Sequence, residues 1–145
     1  MDNRTNGLAE TVVLDDGIKV TADKACTVII TYDGGETYTK VPAVAVVGEE
    51  NTYKFEFEIN ADVEVMVALR GDGNMDGTIS IADSNMINKS KVSPTLERIY
   101  RPLSALEALI LDLNNSGTIS IADSTLINRS LVSPTLTQVY QPIEW

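Results

Sequence analysis

Two twelve-residue stretches of this chain carry oxygen-bearing side chains at alternate positions, the spacing a hard divalent cation requires. The first reads Asp72-Gly73-Asn74-Met75-Asp76-Gly77-Thr78-Ile79-Ser80-Ile81-Ala82-Asp83, and the second Asp112-Leu113-Asn114-Asn115-Ser116-Gly117-Thr118-Ile119-Ser120-Ile121-Ala122-Asp123. Ca2+ takes about six to eight oxygens, which a loop of this length supplies from positions one, three, five, seven (through its carbonyl) and twelve, with glycine at six for the bend. Asp72, Asn74, Asp76, the Thr78 carbonyl and Asp83 meet each requirement around Gly77. Asp112, Asn114, Ser116, the Thr118 carbonyl and Asp123 repeat the pattern around Gly117. Asp-rich turns are common in loops, but here the same spacing recurs with glycine in register, so two Ca2+ ions are the expected cofactors. Ser116 puts a hydroxyl where the first loop has a carboxylate, leaving Asp112 and Asp123 as the charged ligands, so the second site is expected to be the weaker.

The elements around these loops are themselves duplicated. Residues 72–102 laid over 112–142 without a gap match at 20 of 31 positions, which is an internal repeat. Ser80 and Ser120 stand as helix N-caps with Asp83 and Asp123 three residues on, and Pro94 and Pro134 end the helices near Val92 and Val132. At about 100° per residue, Asp83, Met86, Ile87 and Ser90 share the side that faces the loop and core. Ile81, Ala82, Asn85, Asn88, Lys89 and Val92 share the other, and Ile121, Ala122, Thr125, Asn128, Arg129 and Val132 repeat it. A helix whose inner side is already apolar has no internal need for isoleucine and valine outside, so these stripes read as a partner-binding surface. The alternative packs each stripe against the other repeat or the N-terminal half.

Smaller elements follow. Ile79 and Ile119, at loop position eight, are expected to be core residues joined by a short β bridge. The Ser-Pro-Thr-Leu runs at 93–96 and 133–136 are expected to open short second helices that pack the repeats together through Leu96, Ile99, Tyr100 and Leu136, Val139, Tyr140. Ser104-Ala105-Leu106-Glu107 caps another short helix that runs into Asp112. Tyr140, Pro142 and Trp145 form either a clasp on the body or a free tail.

Before Arg70 the period changes to two. Tyr53, Phe55, Phe57 and Ile59 alternate with Lys54, Glu56 and Glu58, and Val63, Val65, Val67 and Leu69 continue in the same style. The first loop is therefore entered from a strand. With Asp15-Asp16-Gly17, Asp33-Gly34-Gly35 and Gly48-Glu49-Glu50-Asn51 as turns, six or seven short strands suggest a small sandwich with the spacing of immunoglobulin-like folds. Tyr53, Phe55 and Phe57 read as core, which leaves Tyr32 and Tyr38 as candidates for sugar contacts.

Composition narrows the function. The chain of 145 residues carries no His and one Cys, which removes Ser-His-Asp and Cys-His nucleophile pairs, histidine-ligated zinc and an internal disulfide. Cys26 falls in step with Val28, Ile30 and Tyr32 and reads as buried core. A formal charge of −10 argues against nucleic acid. Residues 70–145 hold 8 acids and 6 bases, so two bound Ca2+ would carry them from −2 to about +2. No apolar run approaches the roughly 18 residues of a membrane helix. The polar start at 1–7 is no signal peptide, so the chain is either cytoplasmic or a piece of something larger.

The duplicated Asp-x-Asn-x-Asp/Ser-Gly-Thr-Ile-Ser-Ile-Ala-Asp loops, each followed by Ser-x-x-Ile-Asn-Lys/Arg-Ser, resemble the paired segments of dockerin modules from anaerobic polysaccharide-degrading bacteria. The resemblance covers 71–142. It implies an all-α dockerin at 70–145 with calcium-dependent folding and tight attachment to a cohesin. It also implies an all-β, immunoglobulin-like companion of the X-module kind at 8–69. Ile81-Ala82 and Asn88-Lys89, with their counterparts, would lie at the cohesin contact. Type I dockerins commonly carry a hydroxylated pair where this chain has Ile-Ala twice, which implies a more apolar class of partner. The function expected is to anchor a secreted polysaccharide-degrading enzyme or scaffoldin, as a monomer until bound, in a cell-surface or cell-free complex outside the cell. Catalysis is not expected. The rivals are a calcium sensor or buffer, which would need entering helices, and an extracellular calcium-binding protein whose β half binds carbohydrate.

Overall fold

In a computed structural model of the chain, the structure describes residues 2–3 and 9–145, so most of the polar start lies outside the described residues. Among the described residues, eight strands form two four-stranded sheets. The strands are β1 (Asp2–Asn3), β2 (Ala9–Leu14), β3 (Gly17–Ala22), β4 (Cys26–Thr31), β5 (Thr39–Val41), β6 (Val44–Ala45), β7 (Thr52–Glu56) and β8 (Glu64–Leu69). One sheet has the order β1-β8-β4-β5 and the other β2-β3-β7-β6. All pairs are antiparallel except β1 with β8.

The pleat decides what each strand buries. On β3, Ile18, Val20 and Ala22 point inward, while Lys19 and Thr21 are half-buried. They meet Cys26, Val28 and Ile30 of β4, Val65, Val67 and Leu69 of β8, and Phe55 of β7 in one core. The β2–β3 hairpin turns on Asp15-Asp16 into Gly17, whose φ is +149° and where a Cβ would stand 2.0 Å from the Phe55 carbonyl oxygen. Only glycine fits there. On β7 the aromatic alternation stops earlier than the sequence suggests, since the strand ends at Glu56 and Ile59 is exposed.

β4 is buried at every position, and so is β8 after Glu64, because their sheet is covered on both faces. Ile29, Met66 and Ala68 look away from the first core and pack against Ile110 of helix α2 (Ala105–Leu111). Helices α1 (Ile81–Lys91) and α3 (Ile121–Ser130) pack on each other around Ile87 and Ile127, with Leu111 and Leu113 closing this third cluster. Burying each isoleucine is worth about 1.5–3 kcal/mol.

The expected pair of modules, an immunoglobulin-like sandwich followed by an all-α dockerin, is corrected by this arrangement. Among the described residues, eight strands in two sheets outnumber three short helices of 11, 7 and 10 residues. α2 belongs as much to the sheet as to the repeats, because its apolar side lands on β4 and β8. The second helices expected after Ser-Pro-Thr-Leu are turns. Leu96 bonds back to Ser93, and Ile99 and Tyr100 to Leu96, a pattern repeated at 133–140. Their apolar side chains find no surface to cover: Leu96, Ile99, Leu136 and Val139 are all exposed, so nothing rewards a longer helix. Ile79 and Ile119 are half-buried and reach the third cluster, without the β bridge expected between them.

Candidate metal centre and partner face

Each loop wraps around its first aspartate. Asp72 Oδ2 accepts from Gly77 N at 2.8 Å and Oδ1 from Asp76 N at 3.3 Å. Asp83 reaches back from the first turn of α1, accepting from Ser80 N at 2.9 Å and Asn74 N at 3.4 Å. The Ser80 hydroxyl accepts in turn from the start of the helix, so one residue both closes the loop and completes a capping box. Met75 takes φ +56° and Gly77 φ +88° to make the bend.

The second loop copies this bond for bond. Asp112 accepts from Gly117 N at 2.9 Å and Ser116 N at 3.2 Å, and Asp123 from Ser120 N at 3.0 Å and Asn114 N at 3.3 Å. Asn115 repeats the left-handed turn at φ +54°. The Ser116 hydroxyl, which can donate as the aspartate at the equivalent position cannot, is spent on the Thr118 carbonyl at 2.9 Å.

Among the described residues, no group of three Cys, His, Asp or Glu side chains stands close enough together to hold a metal ion by itself. A cation here would depend on mixed donors, and their chemistry suits Ca2+: oxygens only, from Asp72, Asn74, Asp76, Thr78 and Asp83, then from Asp112, Asn114, Ser116, Thr118 and Asp123. Asp72 and Asp83 are fully buried, and the charged groups acting on them are carboxylates. Burial, aided by repulsion from Asp83 and Asp76, pushes the Asp72 carboxyl up to about 7, and burial raises Asp83 as well. Asp76, at the loop surface, is held below its ordinary value by the N–H of Thr78. Two buried acids with this surrounding favour an added positive charge.

The second loop has cations of its own. Lys40 Nζ, from β5, donates to the Asp112 carbonyl at 3.0 Å, and Arg70, just past β8, donates to the carbonyls of Leu113 and Glu144. Burial lowers the affinity of both side chains for their protons, Lys40 to about 8, while Asp112 opposes the shift in each. Neither base was singled out by the sequence, because each acts over a separation of 43 to 74 residues that no local pattern reveals.

The stripes lie outside. Ile81, Ala82, Asn85, Asn88 and Lys89 are exposed and Val92 half-buried; Ile121, Ala122, Asn128 and Arg129 are exposed, with Thr125 and Val132 half-buried. Ile81 and Ile121 are each 58% exposed. The opposite side of each helix buries Asp83, Ser84 and Ile87, or Asp123, Ser124 and Ile127.

The remaining candidates make contacts within the chain, although Tyr32 stays exposed. Trp145 stacks on Tyr53 at a centroid distance of 4.2 Å and tilts against Phe55, so the tail is a clasp. Tyr38 packs in the cluster beneath α2, and the Tyr32 hydroxyl donates to the Glu58 carbonyl at 2.6 Å. No protein-family model, no curated protein and no solved structure matches the chain.

Proposed function

We propose that the chain is a calcium-dependent attachment module whose two helical stripes dock a cohesin. It thereby tethers a secreted polysaccharide-degrading enzyme or scaffoldin to a larger extracellular complex. The observation that carries this reading is the exposure, twice and to the same extent, of an isoleucine at position ten of each calcium-type loop, where its helix begins. An exposed apolar residue that recurs at equivalent positions of a repeat, beside Asn88-Lys89 and Asn128-Arg129, is what a docking surface requires and what folding alone does not. The resemblance of the loops to dockerin segments supplies the partner class. Calcium would be held by the loop oxygens named above and supplies the charge that lets the buried aspartates ionise, fixing the start of each helix and with it the stripe. With neither histidine nor a reactive thiol in view, the module binds and does not catalyse.

A pull-down of the full chain against a panel of cohesin types, with calcium and with chelator, tests the reading. Retention of at least one cohesin in calcium and its loss in chelator is the expected result. Retention by none removes the proposal.

A further inference from the structure

The two stripes are nearly identical, but the ground beside them is not. In both repeats the turn after the helix folds back on the helix end, through Arg101 N to the Lys89 carbonyl at 3.1 Å and Gln141 N to the Arg129 carbonyl at 3.2 Å. That shared bond sets positions 89 and 101 side by side in one repeat, and 129 and 141 in the other. The first pair is two cations. In the second, Arg129 Nη1 instead meets the Gln141 side-chain carbonyl at 3.5 Å.

The surrounding exposed residues widen the contrast. Residues 89–101 carry Lys89, Lys91, Arg98 and Arg101 against Glu97, a net +3, while 129–141 carry Arg129 alone, a net +1, with Leu131, Thr137, Gln138 and Gln141 at the matching positions. This basic ledge sits on a chain whose total is −10. It borders the exposed apolar residues Leu96 and Ile99 of the same turn. On a chain this acidic, four exposed bases within residues 89–101 form an electrostatic handle.

We propose that the ledge formed by Lys89, Lys91, Arg98 and Arg101 receives an acidic patch on the partner protein and so fixes which of the two helices docks. The partner is a protein with a carboxylate-rich rim beside an apolar centre, oriented with its acidic side over the end of α1. This rests on the attachment function proposed above and adds orientation to it.

The test uses the full chain with calcium and a cohesin retained in the panel. Lys91→Gln, Arg98→Gln and Arg101→Gln together give the first repeat the neutral character of the second, whose own turn folds with Gln138 and Gln141. Loss of roughly tenfold in affinity at low salt, shrinking as salt rises, is expected. Gln138→Arg with Gln141→Arg in that background is expected to recover affinity, with the cohesin now over α3, read by crosslinking. Unchanged affinity and unchanged salt dependence in the triple variant overturn the inference while leaving the attachment function standing. So does loss of binding to anionic phospholipid vesicles with cohesin affinity intact. A wild-type chain that retains no cohesin removes both.

Discussion

Lys40 reaches across from β5 to the carbonyl of Asp112, 3.0 Å away, and so ties the sheet to the first residue of the second loop. In the first loop the charged groups that raise the buried acids Asp72 and Asp83 are carboxylates. Two loops alike in backbone are thus unlike in electrostatics. The first should depend on calcium more than the second.

That difference sets the expected ranking of ligand variants. Asp76→Ala removes a negative donor from the first loop and is expected to weaken its calcium affinity by about tenfold or more, whereas Ser116→Ala removes a neutral one and should cost about threefold or less. Calorimetric calcium titration measures both. Equal losses would mean that charge count does not govern these sites.

The pH dependence follows from Asp72. Its carboxyl sits at about 7 in the folded metal-free chain, above the ordinary value it has when unfolded. The stability it contributes is therefore complete below the ordinary carboxylate range and is lost as pH rises through about 7. In chelator, the melting temperature of the wild type should fall from about pH 4 to pH 8 relative to Asp72→Asn, which lacks the titration. In excess calcium the trend should reverse, because the ion binds the carboxylate and competes with its proton. A wild-type profile parallel to the variant's in chelator would refute this account of Asp72.

Much of this was legible in the chain itself. The loops, the serine caps at Ser80, Ser104 and Ser120, and the strand leading to Leu69 all follow local rules of spacing and periodicity, and each lies where those rules put it. What local rules missed is long-range. The all-α second module failed because nothing near Ile110 says that its partners are Ile29 and Met66, some 44 to 81 residues away. Turns stand at 93–100 and 133–140 where helix spacing predicts short helices, because that spacing supplies no surface to bury them, and Leu96 and Leu136 remain in water. The stripe residues were identifiable because a helical wheel needs only sequence, whereas Lys40, Arg70 and the Trp145 contact needed the fold.

Trp145 gives that last contact a measurable weight. It stacks on Tyr53 and tilts over Phe55, covering one side of the first core. Trp145→Ala is expected to cost about 1–3 kcal/mol in urea unfolding in the presence of calcium. A loss below about 0.5 kcal/mol would mark the tail as incidental.

The matched exposure of Ile81 and Ile121 predicts redundancy in docking. Charged replacement of Ile81 and Asn88 together should leave a retained cohesin bound over α3 with roughly the tenfold loss expected of the ledge variant, and replacement of Ile121 and Asn128 should leave it nearly unaffected. The four-residue combination should abolish binding, since it strands charges where apolar surface is buried on docking. If one double variant alone abolishes binding, a single stripe carries the interface.

The claim on which all of this turns is that calcium makes the attachment surface. Titrating a retained cohesin into the full chain, first with calcium and then after chelation, measures it in one calorimetric experiment. The account predicts tight binding in calcium and at least a hundredfold loss without it, recovered when calcium is restored; the same affinity in both conditions would contradict it.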